Sequence, residues 1–143
     1  YLDLTDPETP AGPLYTTAFF ESCKGALASG GALVLHLGSP FHESQQVQDL
    51  SHSLASVFAQ VHAYGLHIPL YGSYWGLAIA SDELNPRAFS AEQIQDRLQQ
   101  RMSRDNQDSL QFYNADVHGA LFALPTFYRR LVPVNEVKLE EVC

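Results

Sequence analysis

The sequence predicts an α/β domain, because apolar segments of strand length alternate with amphipathic segments of helix length along the chain. A second observation is the continuous apolar run Ala32 to Leu37, the pattern of a strand buried on both faces of a parallel sheet. A third is the turn at Gly72-Ser73, short enough to make Leu66 to Leu70 and Tyr74 to Ser81 antiparallel neighbours. The 143 residues are 45% hydrophobic and 17% charged, with 8 Lys/Arg against 16 Asp/Glu and a net charge of −8. That balance describes one globular domain rather than a disordered tract, and no run approaches the roughly 18 apolar residues of a membrane span. A chain of this size buries about 68–70% of its unfolded surface, enough for a core without disulfides.

Tyr1 to Pro7 reads as the end of a strand entering a loop, so the chain is expected to be a piece of a longer protein. Pro7, Pro10, Gly12 and Pro13 make a loop that ends where Leu14 opens a helical pattern. Leu14, Ala18, Phe19, Cys23, Ala26 and Leu27 share one face, and Gly30-Gly31 ends that helix before the apolar strand. After a loop at Gly38 to Pro40, the residues Val47, Leu50, Leu54, Val57, Phe58 and Val61 predict a second amphipathic helix of about four turns. The antiparallel pair follows. Ser90 with Gln93 has the form of a capping box, ahead of the stripe Ile94, Leu98 and Met102. Ser103 to Asp108 reads as a polar loop, and Val117 to Ala123 and Phe127 to Leu131 as short helical pieces, the latter started by Pro125. The segment Pro133 to Cys143 is expected to be exposed, with Val134, Val137, Leu139 and Val142 available to dock against a partner.

Several chemistries are disfavoured at once. With only Lys24 and Lys138 as lysines, and Arg129-Arg130 as the one basic pair, there is no stripe for nucleic acid. Cys23 and Cys143 have no metal or disulfide spacing, which fits a reducing, cytoplasmic compartment. The six histidines form no HxxxH or HxH pair, so no metal site is expected. Ser39 and Ser73 lack the context of a hydrolase nucleophile. The most informative residues are Asp3 and Asp6, two carboxylates on a loop leaving the carboxyl end of a strand, where ligands of open α/β sheets sit. Either they hold a cationic amine and one accepts its proton, or Asp6 caps the turn before Pro7 and Asp3 is simply exposed. Tyr71, Tyr74 and Trp75 make either an aromatic wall for a cation or a piece of core. Asn114, Asp116 and His118 read as caps and joints of the late helices.

The run Asp3-Leu-Thr-Asp6-Pro7-Glu-Thr-Pro10-Ala11, followed by Leu14-Tyr15 and Phe19-Phe20, resembles the signature Asp-x-x-Asp-Pro-x-Gly-Pro-Ala-x-x-Leu-aromatic of the spermidine synthases, the polyamine aminopropyltransferases. Three collinear segments extend the resemblance to about residue 131: Gly30 to Phe41, Ile68-Pro69-Leu70-Tyr71 before Trp75-Gly76, and Tyr113 to His118 leading to Phe122 and Pro125. The resemblance implies the carboxyl-terminal half of a class I methyltransferase-like (Rossmann-like) doubly wound sheet with an antiparallel strand near its edge. Residues 1–131 would be a partial catalytic domain, without the family's nucleoside-binding amino-terminal half, and 132–143 a tail. It implies aminopropyl transfer from decarboxylated S-adenosylmethionine, a co-substrate, to a diamine such as putrescine, with no prosthetic group and a homodimeric assembly. Asp3 would be the general base, Asp6 and Tyr71 would bind the amine, and Pro10 would pack near the adenine. Departures are Thr9 for the family's Gly, His36 where many members have Gln, and Gly38 where many have Glu. His36 then either lines the amine pocket or is a hydrogen-bonded structural histidine at a strand end. The rival readings are an S-adenosylmethionine-dependent methyltransferase and an inactive polyamine-binding scaffold.

Overall fold

Three strands and the helices between them set the frame. The computed structural model describes residues 1–3 and 9–133. Thr16 lies in the extended region and its Oγ1 accepts the Phe19 N–H at 3.3 Å, so helix α1 runs over Thr17–Ala26. The expected helical start at Leu14 is instead a 3₁₀ turn, Gly12–Tyr15, because Pro13 favours a turn start and Thr16 interrupts the helical dihedrals. The helix also ends at Ala26, short of Gly30-Gly31. Its buried residue is Phe20, and Phe19, Cys23 and Leu27 of the expected stripe pack against the core beside it, whereas Ala18 and Ala26 are exposed.

Strand β1 is Leu33–Gly38, helix α2 is Ser44–Val57, and strands β2 and β3 are Gln60–Ile68 and Ser73–Ser81. Val61, expected on the second helix, belongs to β2, since the chain turns extended at Phe58. Gly72 closes the β2–β3 connection at φ +58, a left-handed conformation that glycine adopts without a side-chain clash. The sheet order is β1-β3-β2, with β3 antiparallel to both neighbours. β1 therefore has neighbours of both kinds: β3 is antiparallel to it, and on its other side the described residues show the parallel bridge Leu2 to Leu35, with Leu2 N–H donating to the Val34 carbonyl at 2.8 Å.

The two faces of the sheet differ. Leu33, Leu35, Leu37, Val61, Ala63, Ala78 and Ala80 are buried in one cluster with Phe20, Val47, Leu50, Leu54, Phe58 and Tyr128. Val34, His36, Tyr64, Trp75, Leu77 and Ile79, the alternate positions, are only half-buried. Strand alternation explains the split, so β1 is not buried on both faces as its apolar run suggested.

The capping box is present: Ser90 Oγ accepts the Gln93 N–H and Gln93 Oε1 accepts the Ser90 N–H, opening α3 at Ala91–Arg101. Ser103 likewise caps Arg104–Asp108 as α4, where a loop was expected; the side chain that signals a turn also starts a helix. Asn114 caps α5 (Ala115–Leu121), and Pro125 precedes α6 (Thr126–Arg129). His118 joins this region to the rest, sharing hydrogen bonds with the Tyr113 hydroxyl and the Pro86 carbonyl, both at 2.8 Å. Residues 4–8, with Asp6 and Pro7, lie outside the described residues. So do 134–143, with Val134, Val137, Leu139, Val142 and Cys143.

Candidate functional site

The bridge between Leu2 and Leu35 places Asp3 beside His36, at the carboxyl end of β1. Tyr1, Leu2, Asp3, Val34, Leu35, His36, Tyr64 and Leu77 line an open cleft of about 430 Å³ on the half-buried face of the sheet. Asp3 is exposed there and His36 half-buried, so the structure brings these two expected site residues into one cleft. Burial, and secondarily the nearby charge of Tyr1, raises the phenol pKa of Tyr64 above its ordinary value and keeps this wall neutral.

His36 is fixed on two sides. Its Nε2 and the Tyr15 hydroxyl share a hydrogen bond of 2.8 Å, and Tyr15 meets the ring edge-on. On the other side His36 stacks on Trp75, with centroids 6.2 Å apart and planes 17° from parallel, and Trp75 touches Tyr71 at 4.6 Å between centroids. The four rings make a row from the 3₁₀ turn at Gly12–Tyr15, across β1 and β3, to the 3₁₀ turn at Pro69–Tyr71. Tyr71 thereby joins His36 through Trp75, although it does not line the cleft itself. Tyr74 leaves the expected aromatic cluster. Adjacent strand residues point to opposite faces, and Tyr74 packs edge-on against Tyr128 in the core. Pro10 is exposed and outside the cleft, on the loop whose turn is closed by the Gly12 N–H to the Thr9 carbonyl at 2.9 Å. No described residue other than glycine has positive φ, so Thr9 fits this loop without strain.

The β1–β3 register shifts between His36 and Gly38, a bulge-like irregularity at the site itself. Gly38 has φ +105, and a Cβ built on it would lie 2.6 Å from Glu43 Oε2 and 2.9 Å from Gln46 Nε2. The side-chain direction at position 38 therefore meets the start of α2. Glu43 Oε2 accepts the Ser39 N–H at 2.7 Å, and buried Ser39 bonds Ser73 side chain to side chain at 3.0 Å, tying the β1 loop to the start of β3. These serines are mutual partners. Tyr15 is the residue that sequence reasoning missed at the site. It appeared only as part of a motif, and no short-range pattern links it to a histidine 21 residues away.

At the opposite end of the sheet a recess of about 150 Å³ surrounds Lys24 and Asp82, whose ion pair is 2.8 Å long. Lys24 also donates to the Val57 carbonyl, which makes it a structural clamp. Among the described residues no group of three or more His, Cys, Asp or Glu is placed to hold a metal, and no helix is long and apolar enough to cross a membrane.

A helix-covered sheet with a carboxylate at the carboxyl end of a strand defines the class: a methyltransferase-like α/β fold with its cleft at the strand ends. The chain belongs to the spermine/spermidine synthase domain family, which it matches over residues 1–91. It is similar to a polyamine aminopropyltransferase of Nitrosomonas europaea, 43% identical over 131 residues, covering 92% of this chain and 39% of that protein. A polyamine aminopropyltransferase of Sulfolobus acidocaldarius is 33% identical over 133 residues, covering 92% of this chain and 43% of that protein. Among solved structures, a spermidine synthase in complex with the transition state analogue AdoDATO superposes with a TM-score of 0.77 at 26% identity, over 91% of this chain and 42% of that one. The chain thus spans 39–43% of the length of these curated relatives.

Proposed function

We propose that this chain supplies the amine side of an aminopropyltransferase, which moves the aminopropyl group of decarboxylated S-adenosylmethionine to a diamine such as putrescine. The observation that carries the reading is the cleft that holds Asp3 beside His36 at the carboxyl end of β1. An ammonium has no lone pair, so a carboxylate must take a proton before the nitrogen can attack. Asp3 is that base. The freed lone pair forms a C–N bond at the carbon beside the sulfonium, the C–S bond breaks, and its electron pair stays on sulfur as neutral methylthioadenosine leaves. Asp6, whose position lies outside the described residues, and Tyr71 bind the amine, His36 lines its path, and Pro10 packs near the adenine. The nucleoside is a co-substrate, and no prosthetic group takes part. Residues 1–131 act as part of the catalytic domain and 132–143 as a tail, in a cytoplasmic homodimer.

The experiment is release of methylthioadenosine by the full-length protein given putrescine and decarboxylated S-adenosylmethionine. Spermidine formed in equal amount is the expected result. Absence of release with putrescine and with longer and shorter diamines overturns the reading, and a single-subunit mass in solution overturns the dimer.

A further inference from the structure

We propose that Tyr15 is a positioning residue for the amine pocket, acting through His36; this rests on the aminopropyl-transfer reading above. Tyr15 is 8% exposed, and its ring packs with the core while its hydroxyl reaches the half-buried sheet face to meet His36 Nε2 at 2.8 Å. An imidazole at a strand end can rotate about its terminal side-chain bond, for which the rotamer wells are broad. Two contacts remove that freedom here. The hydroxyl fixes one ring nitrogen, and stacking on Trp75 at 17° fixes the plane. With the ring fixed, Trp75 keeps His36 as one ring partner and Tyr71 as another, and His36 is the member of the row that lines the cleft holding Asp3. The hydroxyl can donate to a bare Nε2 or accept from Nε2–H, and a ring held in one place by it and by Trp75 is expected to settle in one of these two tautomers. Tyr15 closes the same loop that bears Pro10, so a side chain from the nucleoside side of the sequence holds the amine side in shape.

The test uses the full-length protein with Tyr15→Phe, His36→Gln and the double variant. Loss of one neutral hydrogen bond predicts a rise of about 3- to 10-fold in KM for putrescine in Tyr15→Phe, with kcat and KM for decarboxylated S-adenosylmethionine within about twofold of the unaltered protein. In the His36→Gln background the same substitution is expected to add nothing, the signature of two residues acting as one unit. An unchanged putrescine KM, or an equal effect in both backgrounds, overturns the proposal. Nitrogen NMR of the histidine rings, assigned with His36→Gln, provides a second readout that needs no turnover. In mildly alkaline buffer the unaltered protein is expected to give two well-separated His36 ring signals, one tautomer, which move toward each other in Tyr15→Phe. An averaged pair in the unaltered protein overturns the proposal, including where Tyr15→Phe does not fold. Where no variant releases methylthioadenosine, the transfer reading fails, and these spectra still decide whether Tyr15 holds His36.

Discussion

Asp3 and Gly38 carry the sharpest expectations at the scale of single residues. Asp3→Asn keeps the shape of the side chain and removes its basicity, so kcat is expected to fall about 10²–10⁴-fold while nucleoside binding, measured by calorimetry, stays within a few-fold. Turnover above a tenth of the unaltered rate would remove Asp3 from the chemistry. Gly38 stands where many members of the family resembled have Glu, so the resemblance marks it as a position that lacks a carboxylate. The structure gives it another role: with φ +105 and Glu43 and Gln46 in the path of a Cβ, the position is held by backbone geometry. Gly38→Glu is therefore expected to destabilise the fold by more than about 1 kcal/mol, read as a lower urea midpoint at unchanged m-value. A gain in putrescine affinity without loss of stability would contradict this.

Element by element, legibility follows the range of the signal. The capping box at Ser90, the caps at Thr16 and Asn114, and the β2–β3 turn at Gly72 are local chemistry, and the sequence declares the box and the turn outright. The β1–β3–β2 order was not legible, because an apolar run such as Ala32 to Leu37 has the same composition whether its neighbour runs parallel or antiparallel. Val61 went to the wrong element because its spacing from Leu54 and Val57 suits a helix, while the strand it joins is set by pairing with Ala80. For the site, Asp3 and His36 were legible as residues, but their neighbours Tyr15 and Trp75 depend on how loops and strands meet in space. The elements are also clamped at their far end. Lys24 of α1 bonds the carbonyl that ends α2 and the carboxylate of Asp82 just past β3. The Lys24 hydrogen bond first, and the Ala59 N–H second, hold the Asp82 pKa below its ordinary 3.8. A depressed carboxylate pKa stabilises above the unfolded value and ceases to do so as pH falls through the folded one. Asp82→Asn is accordingly expected to lower the thermal midpoint at neutral pH and to cost nothing once Asp82 is protonated. An equal loss at every pH would place the effect elsewhere.

At the scale of the whole molecule, acid sensitivity and the order of assembly follow from two buried side chains. His62 is 4% exposed on β2, and burial, then the charge of Arg87, lowers its pKa from 6.5. The unfolded chain therefore binds a proton that the folded one refuses, and stability is expected to decline as pH drops below 6.5 until the folded pKa is passed. His62→Gln should flatten the plot of unfolding free energy against pH in that interval; an unchanged slope would assign the acid loss to other groups. Tyr128 is the second case. It is fully buried in α6, its hydroxyl donates toward the carbonyls of Tyr64 at 3.2 Å and Leu77 at 3.4 Å, and a Cβ on Gly76 would come within 2.6 Å of it. The centre of the sheet is thus built around a ring that the ribosome delivers 64 residues after Tyr64. At about 5–20 residues per second, the strands exist for several seconds before the side chain that fills the space over Gly76 is made. Until then α1 and α2 can cover their part of the sheet, while the space over Gly76 stays unfilled and the last part of the core closes only when α6 arrives.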